Sequence, residues 1–140
     1  QQLGANVMVR KLKPEVKQQW IAALRSGEYK QAFGGLRNHH NAMCCLGVLC
    51  NLHAQAHPDI AEAQPVKTAY MGEINVPPPA VMKWAFDHWT NNDHRVVPFR
   101  EHCYDARDRK TYGGHTHLAT LNDSREYSFK QIANVIDKYL

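Results

Sequence analysis

The chain has no apolar run approaching the ~20 residues that a membrane-spanning helix requires, so no membrane partner is expected. Its opening, QQLGANVMVRKLK, lacks the apolar core of a secretory leader. Cysteine is scarce, with four in 140 residues. Two are adjacent (Cys44, Cys45) and Cys50 falls in the same expected helix. That spacing leaves no disulfide framework and implies free thiols in a reducing compartment. Structural zinc calls for two spaced pairs of close ligands, and no such pairs of cysteines exist here. The Walker-type phosphate loop and the glycine fingerprint of dinucleotide-binding folds are both missing. No internal repeat or low-complexity linker divides the chain. No metal and no cofactor is implied.

What is present suits a small folded protein. The composition is 44% hydrophobic and 21% charged, the balance of a globular chain rather than a disordered one. A domain of this size buries roughly two-thirds of its unfolded surface. The net charge of +4 with neutral histidines favours an anionic ligand or partner. The organisation expected is an N-terminal extension (residues 1–13) followed by one α+β domain (14–140), with four to five helices and short β-hairpins.

Pro14 opens the first helix, where its missing N–H is harmless. Val16, Trp20 and Leu24 recur at helical spacing, and Gly27 supplies the stop. A second helix is predicted from about Met43 to Ala56, with Pro58 enforcing its end. A weak hairpin turns at Met71-Gly72. Pro79 leads a third helix carrying Val81, Trp84 and Ala85. Residues 94–115 read as extended pieces around a Gly113-Gly114 turn. Leu118 and Leu121 mark a short helix ending at Asn122-Asp123. Ser128 and Gln131 form a capping box for the last helix, with Tyr127 and Ile132 placed as a hydrophobic staple. Phe129, Ile132, Val135, Ile136 and Tyr139 face inward from that helix, or toward a second subunit.

Several constellations carry possible chemistry. Cys50, His53 and His57 are spaced so that all three point roughly one way from a helix, but the pattern is not a zinc motif, and cysteine as a small buried hydrophobe fits LGVLC better. Cys44, at a helix start near His39 and His40, is the best-placed nucleophile, yet no third orienting residue is identifiable. An enzyme is therefore not the leading reading. The last helix carries only Lys130 and Lys138 as bases, offset by Asp137, and no reading helix follows, so direct DNA binding is not expected. His88, His94, His102, His115 and His117 are scattered and read as surface or partner histidines. The segment GEYKQAFGGLR is the richest polar stretch. It offers an aromatic platform (Tyr29), cations (Lys30, Arg37), an amide (Gln31) and two glycines that admit a ligand close to the backbone. Asn122 and Asp123, at a helix end, could hydrogen-bond a ribose or a base edge.

The blocks ALRSGEYKQAFGGLR, CCLGVLCNL, VPPPAVMKWA and LATLND…YSFKQIANVID resemble, in order and spacing, a family of small proteins encoded by bacteriophages and prophages. The resemblance covers about residues 14–139. Asn51 stands where that family tends to have Asp, and NHHNAM replaces a shorter turn. The cysteines belong to the shared text and the neighbouring histidines do not. The resemblance implies a phage accessory protein acting in the host-cell cytoplasm. By analogy with phage proteins that sequester nucleotide immune signals, such as cyclic ADP-ribose isomers, the expected ligand is small, anionic and nucleotide-like. Tyr29, Lys30, Gln31, Arg37, Asn122 and Asp123 would bind it. A homo-oligomer is expected. The alternative is an inhibitor that binds a host defence or nucleic-acid-processing protein.

Overall fold

A computed structural model describes residues 11–63, 66–87, 98–100, 103–105, 110–112 and 115–140. Expectations for residues 1–10 and for His88, His94 and His102 lie outside the described residues, as do the side chains of Cys103, His115, His117 and Tyr139.

Strand β1 (Lys11–Leu12) pairs antiparallel with β2 (Phe86–Asp87), Leu12 opposite Phe86. Leu12 is buried and so contributes to the core ahead of Pro14. Helix α1 (Pro14–Arg25) follows with Pro14 in its first turn and buries Val16, Trp20, Ile21 and Leu24. It ends as the spacing predicts, because Gly27 takes φ 80°, a conformation costly for any residue with a Cβ.

Helix α2 (Cys45–Ala56) is the centre of the molecule. Cys45 to Cys50 are all buried, with Leu52 and His53. A helix apolar all round must be enclosed. It touches α1, α3 (Pro58–Glu62), α4 (Pro79–Ala85) and α5 (Leu118–Asp123). The Trp20 indole N–H donates to the Cys45 carbonyl at 3.0 Å, fixing α1 across the first turn of α2. Helix α3 was not foreseen: Pro58 ends α2 and opens a new turn, with His57 in a non-helical conformation between them.

Helix α6 (Phe129–Tyr139) has the predicted capping box, both bonds made. It packs mainly on α1, where Lys17 Nζ reaches the Asp137 carbonyl at 3.1 Å and Arg25 reaches Asn134 Oδ1 at 2.8 Å. Phe129, Ile132, Ala133 and Ile136 are buried within this chain. The apolar face considered for a subunit contact is thus covered internally.

The Met71-Gly72 turn is present, with φ of 50° and 87° and paired bonds between Tyr70 and Glu73. The later segment holds extended pieces, as expected: β3 (Pro98–Arg100) pairs with β6 (His115–His117), and β4 (Cys103–Asp105) with β5 (Lys110–Tyr112), all antiparallel. The expected Gly113-Gly114 turn lies outside the described residues. The fold is α+β, with six helices among the described residues.

Candidate functional site

The glycine-bearing loop is held at both sides of a single segment. On one side, Met43 N–H donates to the Lys30 carbonyl (2.9 Å) and Ala32 N–H to the Met43 carbonyl (2.7 Å). On the other, Asn38 N–H donates to Ala42 (2.9 Å) and Cys44 N–H to Leu36 (3.3 Å). Residues 30–32 and 36–38 therefore flank 42–44, immediately before α2. Gly34, at φ 87°, donates its N–H to Asp123 Oδ1 at 3.0 Å. Leu36 N–H donates to the Ile74 carbonyl at 2.8 Å.

The six predicted site residues separate into two groups. Tyr29 and Arg37 meet through Asn51, on the middle of α2. Arg37 Nη2 donates to Asn51 Oδ1 at 3.4 Å, and Asn51 Nδ2 donates to the Tyr29 hydroxyl at 2.9 Å. All three are half-buried, and Lys30 beside them is exposed. Among the described residues no carboxylate pairs with Arg37. Sequence reasoning noted Asn51 only as a departure from the family text, because its role depends on two loop residues that fold back onto the helix.

Gln31, Asn122 and Asp123 form the second group and bind one another. Gln31 Nε2 donates to Asn122 Oδ1 and to the Tyr127 carbonyl, both at 3.0 Å. Asn122 is fully buried. Its oxygen also accepts the Cys45 N–H (3.1 Å), and its amino group donates to the Ala32 carbonyl (2.8 Å) and Asp123 Oδ1 (3.1 Å). An amide carries four such positions, so none remains for a ligand. Asn122, expected to read a ribose or base edge, instead holds the loop, α2 and α5 together. Asp123 is exposed, and its second oxygen takes no hydrogen bond among the described residues.

The sequence profile of a family described as a domain of unknown function (DUF8296) matches residues 12–140. The chain belongs to that family. No curated protein and no solved structure matches it. The DUF8296 match starts at Leu12, the first buried side chain among the described residues.

Three of this family member's four thiols, those of Cys44, Cys45 and Cys50, are interior groups. Cys44 caps α2, its sulfur accepting the Gly47 N–H at 3.4 Å. Burial outweighs that bond and pushes the thiol up to about 11. Cys45 and Cys50 are also raised, chiefly by burial. A helix start would favour thiolate only where the sulfur stays hydrated. Cys44 is therefore ill suited to nucleophilic chemistry.

His53 and His57 stack with ring centroids 4.1 Å apart and planes at 21°. The edge-on rings of Trp84 and Tyr70 surround His53. A 2.7 Å hydrogen bond joins His53 Nδ1 to the Tyr70 hydroxyl, and His57 Nδ1 donates to the His53 carbonyl at 2.8 Å. A metal lies close to the plane of each imidazole that binds it, about 2.1 Å from nitrogen, and planes so nearly parallel do not converge at that range. Among the described residues no group of three His, Cys, Asp or Glu could hold a metal ion.

That cluster makes the fold sensitive to acid. Burial, and then the charge His57 would carry, lower the His53 pKa from 6.5 to about 4. A histidine held neutral by the fold stabilises fully above its unfolded pKa, and the contribution is lost as pH falls from 6.5 toward 4. Stability should drop by roughly 2–3 kcal/mol over that interval. Thermal melts at stepped pH should show most of the slope gone in His53→Gln. A variant profile as steep as the wild type's would place the acid loss elsewhere.

Proposed function

We propose that this protein is a non-enzymatic phage accessory factor that binds and sequesters a small anionic, nucleotide-like ligand in the cytoplasm of the host. The phage assignment rests on the four ordered sequence blocks. The ligand reading is carried by Arg37, a half-buried guanidinium whose one side-chain bond among the described residues, 3.4 Å long, goes to a neutral amide. A guanidinium partly withdrawn from water and lacking a counter-charge favours an incoming anion. Tyr29 offers a ring for stacking and a hydroxyl one amide away, and Lys30 adds a second cation. Gln31 and Asn122 support the loop, and Asp123 retains one oxygen for a ribose hydroxyl.

Calorimetry against cyclic dinucleotides, ADP-ribose and cyclic ADP-ribose isomers tests this. At least one should bind, and Arg37→Ala should weaken it tenfold or more, the loss expected for a charge-assisted hydrogen bond. Heat from none of them, or full affinity in Arg37→Ala, would sink the reading.

One observation favours the alternative, a protein-binding inhibitor. Phe33, Met71 and Ile74 expose 39%, 40% and 53% of their surface, and Arg125 lies over the Phe33 ring at 4.4 Å. Arginine with an exposed aromatic suits a protein contact. A surface of this kind also suits a homo-oligomer. Loss of host-protein capture in Phe33→Ser would favour this alternative.

A further inference from the structure

Asn51 sits seven residues into α2, where asparagine is a poor helix former. Its amide orientation is dictated by its neighbours. Arginine can only donate, so the Asn51 oxygen faces Arg37 and the amino group faces Tyr29. The Tyr29 oxygen is then an acceptor toward Asn51, and its hydrogen must point away from it. Arg37 likewise keeps most of its five N–H groups, and the amide leaves its charge intact. Among the described residues the trio thus leaves unused a hydroxyl hydrogen and several guanidinium N–H groups, joined through one side chain.

We infer that Asn51 is the positioning residue that makes this an oxyanion site, and that the group received is a phosphoryl group bridging Arg37 and the Tyr29 hydroxyl. This rests on the anion-binding reading above. A carboxylate of the same shape at position 51 would reverse both features. It would neutralise Arg37 by pairing, and it would draw the Tyr29 hydrogen onto itself. Alanine would remove the positioning and leave the charge.

The test is calorimetry with inorganic pyrophosphate, ADP-ribose and adenosine on wild type, Arg37→Ala, Asn51→Ala and Asn51→Asp, each confirmed folded by its melt. Pyrophosphate and ADP-ribose should bind, with adenosine at least tenfold weaker than ADP-ribose. Asn51→Ala should lose a few-fold, and the isosteric Asn51→Asp tenfold or more. That order separates the inference from a packing role, in which alanine would be the worse substitution. If Asn51→Asp binds as wild type does while Arg37→Ala fails, the inference falls and the anion reading stands. If alanine is the more damaging change, Asn51 is structural and the inference also falls. If wild type binds neither pyrophosphate nor ADP-ribose, the inference falls, and the anion reading falls with it only if the cyclic nucleotides above also give no heat.

Discussion

Gly47→Ala should leave the protein largely unfolded under conditions where the wild type is stable. Gly47 lies in the first turn of α2, against the backbone of Leu36. A Cβ there would run into the Leu36 carbonyl oxygen and stand 2.9 Å from its carbon and 3.1 Å from Met43 Cβ. A side-chain obstacle could rotate away, but a carbonyl moves only with its chain. Leu36 is fixed from both directions: its carbonyl accepts the Cys44 N–H at 3.3 Å and its own N–H is bonded to Ile74. Overpacking a core with a methyl ordinarily costs about 1–3 kcal/mol. Against rigid backbone the cost should exceed about 4 kcal/mol, much of the 5–15 kcal/mol typical of a whole domain. Gly35→Ala is the internal comparison, since its added carbon would meet the Ile74 carbonyl oxygen at 3.3 Å and the neighbour need yield only slightly. Circular dichroism melts decide the matter. A Gly47→Ala protein melting within a few degrees of wild type would show that the loop before α2 is freer than its bonds imply.

Elements governed by local chemistry were legible in the sequence. Pro14, the Val16, Trp20, Leu24 spacing and Gly27 define α1 without reference to anything distant, and Ser128 with Gln131 does the same for the start of α6. The Met71-Gly72 turn needs only its own two positive φ angles. Elements fixed by remote partners were not. Nothing near Pro98 says that it pairs with His117 and not with a closer strand. Nothing within CCLGVLCNLH says that this helix is enclosed on every side. The site divides on the same line. The loop could be singled out by composition, because tyrosine, cations and glycines in one stretch are a local property. Which of its side chains face outward depends on residues 51 and 122, contributed by other helices. Asn122 resembles a ligand contact from the sequence because it is polar, next to Asp123 and at a helix end. Its buried amide caps the first turn of α2 from a different part of the chain, and no spacing rule reports that.

Asn122→Ala should destabilise the protein by roughly 3–4 kcal/mol, and weaken binding of the proposed ligand although the Asn122 side chain has no free hydrogen-bonding position for it. The Cys45 N–H is one of the donors left over at the start of α2, and Asn122 Oδ1 is its partner; the Ala32 carbonyl likewise takes the Asn122 amino group. Alanine strands both groups in the interior, at about 1–3 kcal/mol each. Gln31 loses one of its two bonds but keeps Tyr127. With the tie to α5 reduced to the Gly34–Asp123 bond, residues 31–34 hold Tyr29 and Arg37 less firmly, so the affinity should fall through loosening of the loop. Asn122→Asp gives the sharper result. It preserves shape but turns a donor into an acceptor facing the Ala32 carbonyl and the Asp123 carboxylate. The new carboxyl would be driven toward its protonated form, raising its pKa in the folded state. The deficit relative to wild type should therefore be largest near neutral pH and shrink as pH falls and the group regains a proton to donate. The comparison is made at each pH because wild type itself loses stability in acid through His53. A deficit constant from pH 7 to pH 4 would mean that lost volume, and not the reversed hydrogen bond, is what the substitution costs.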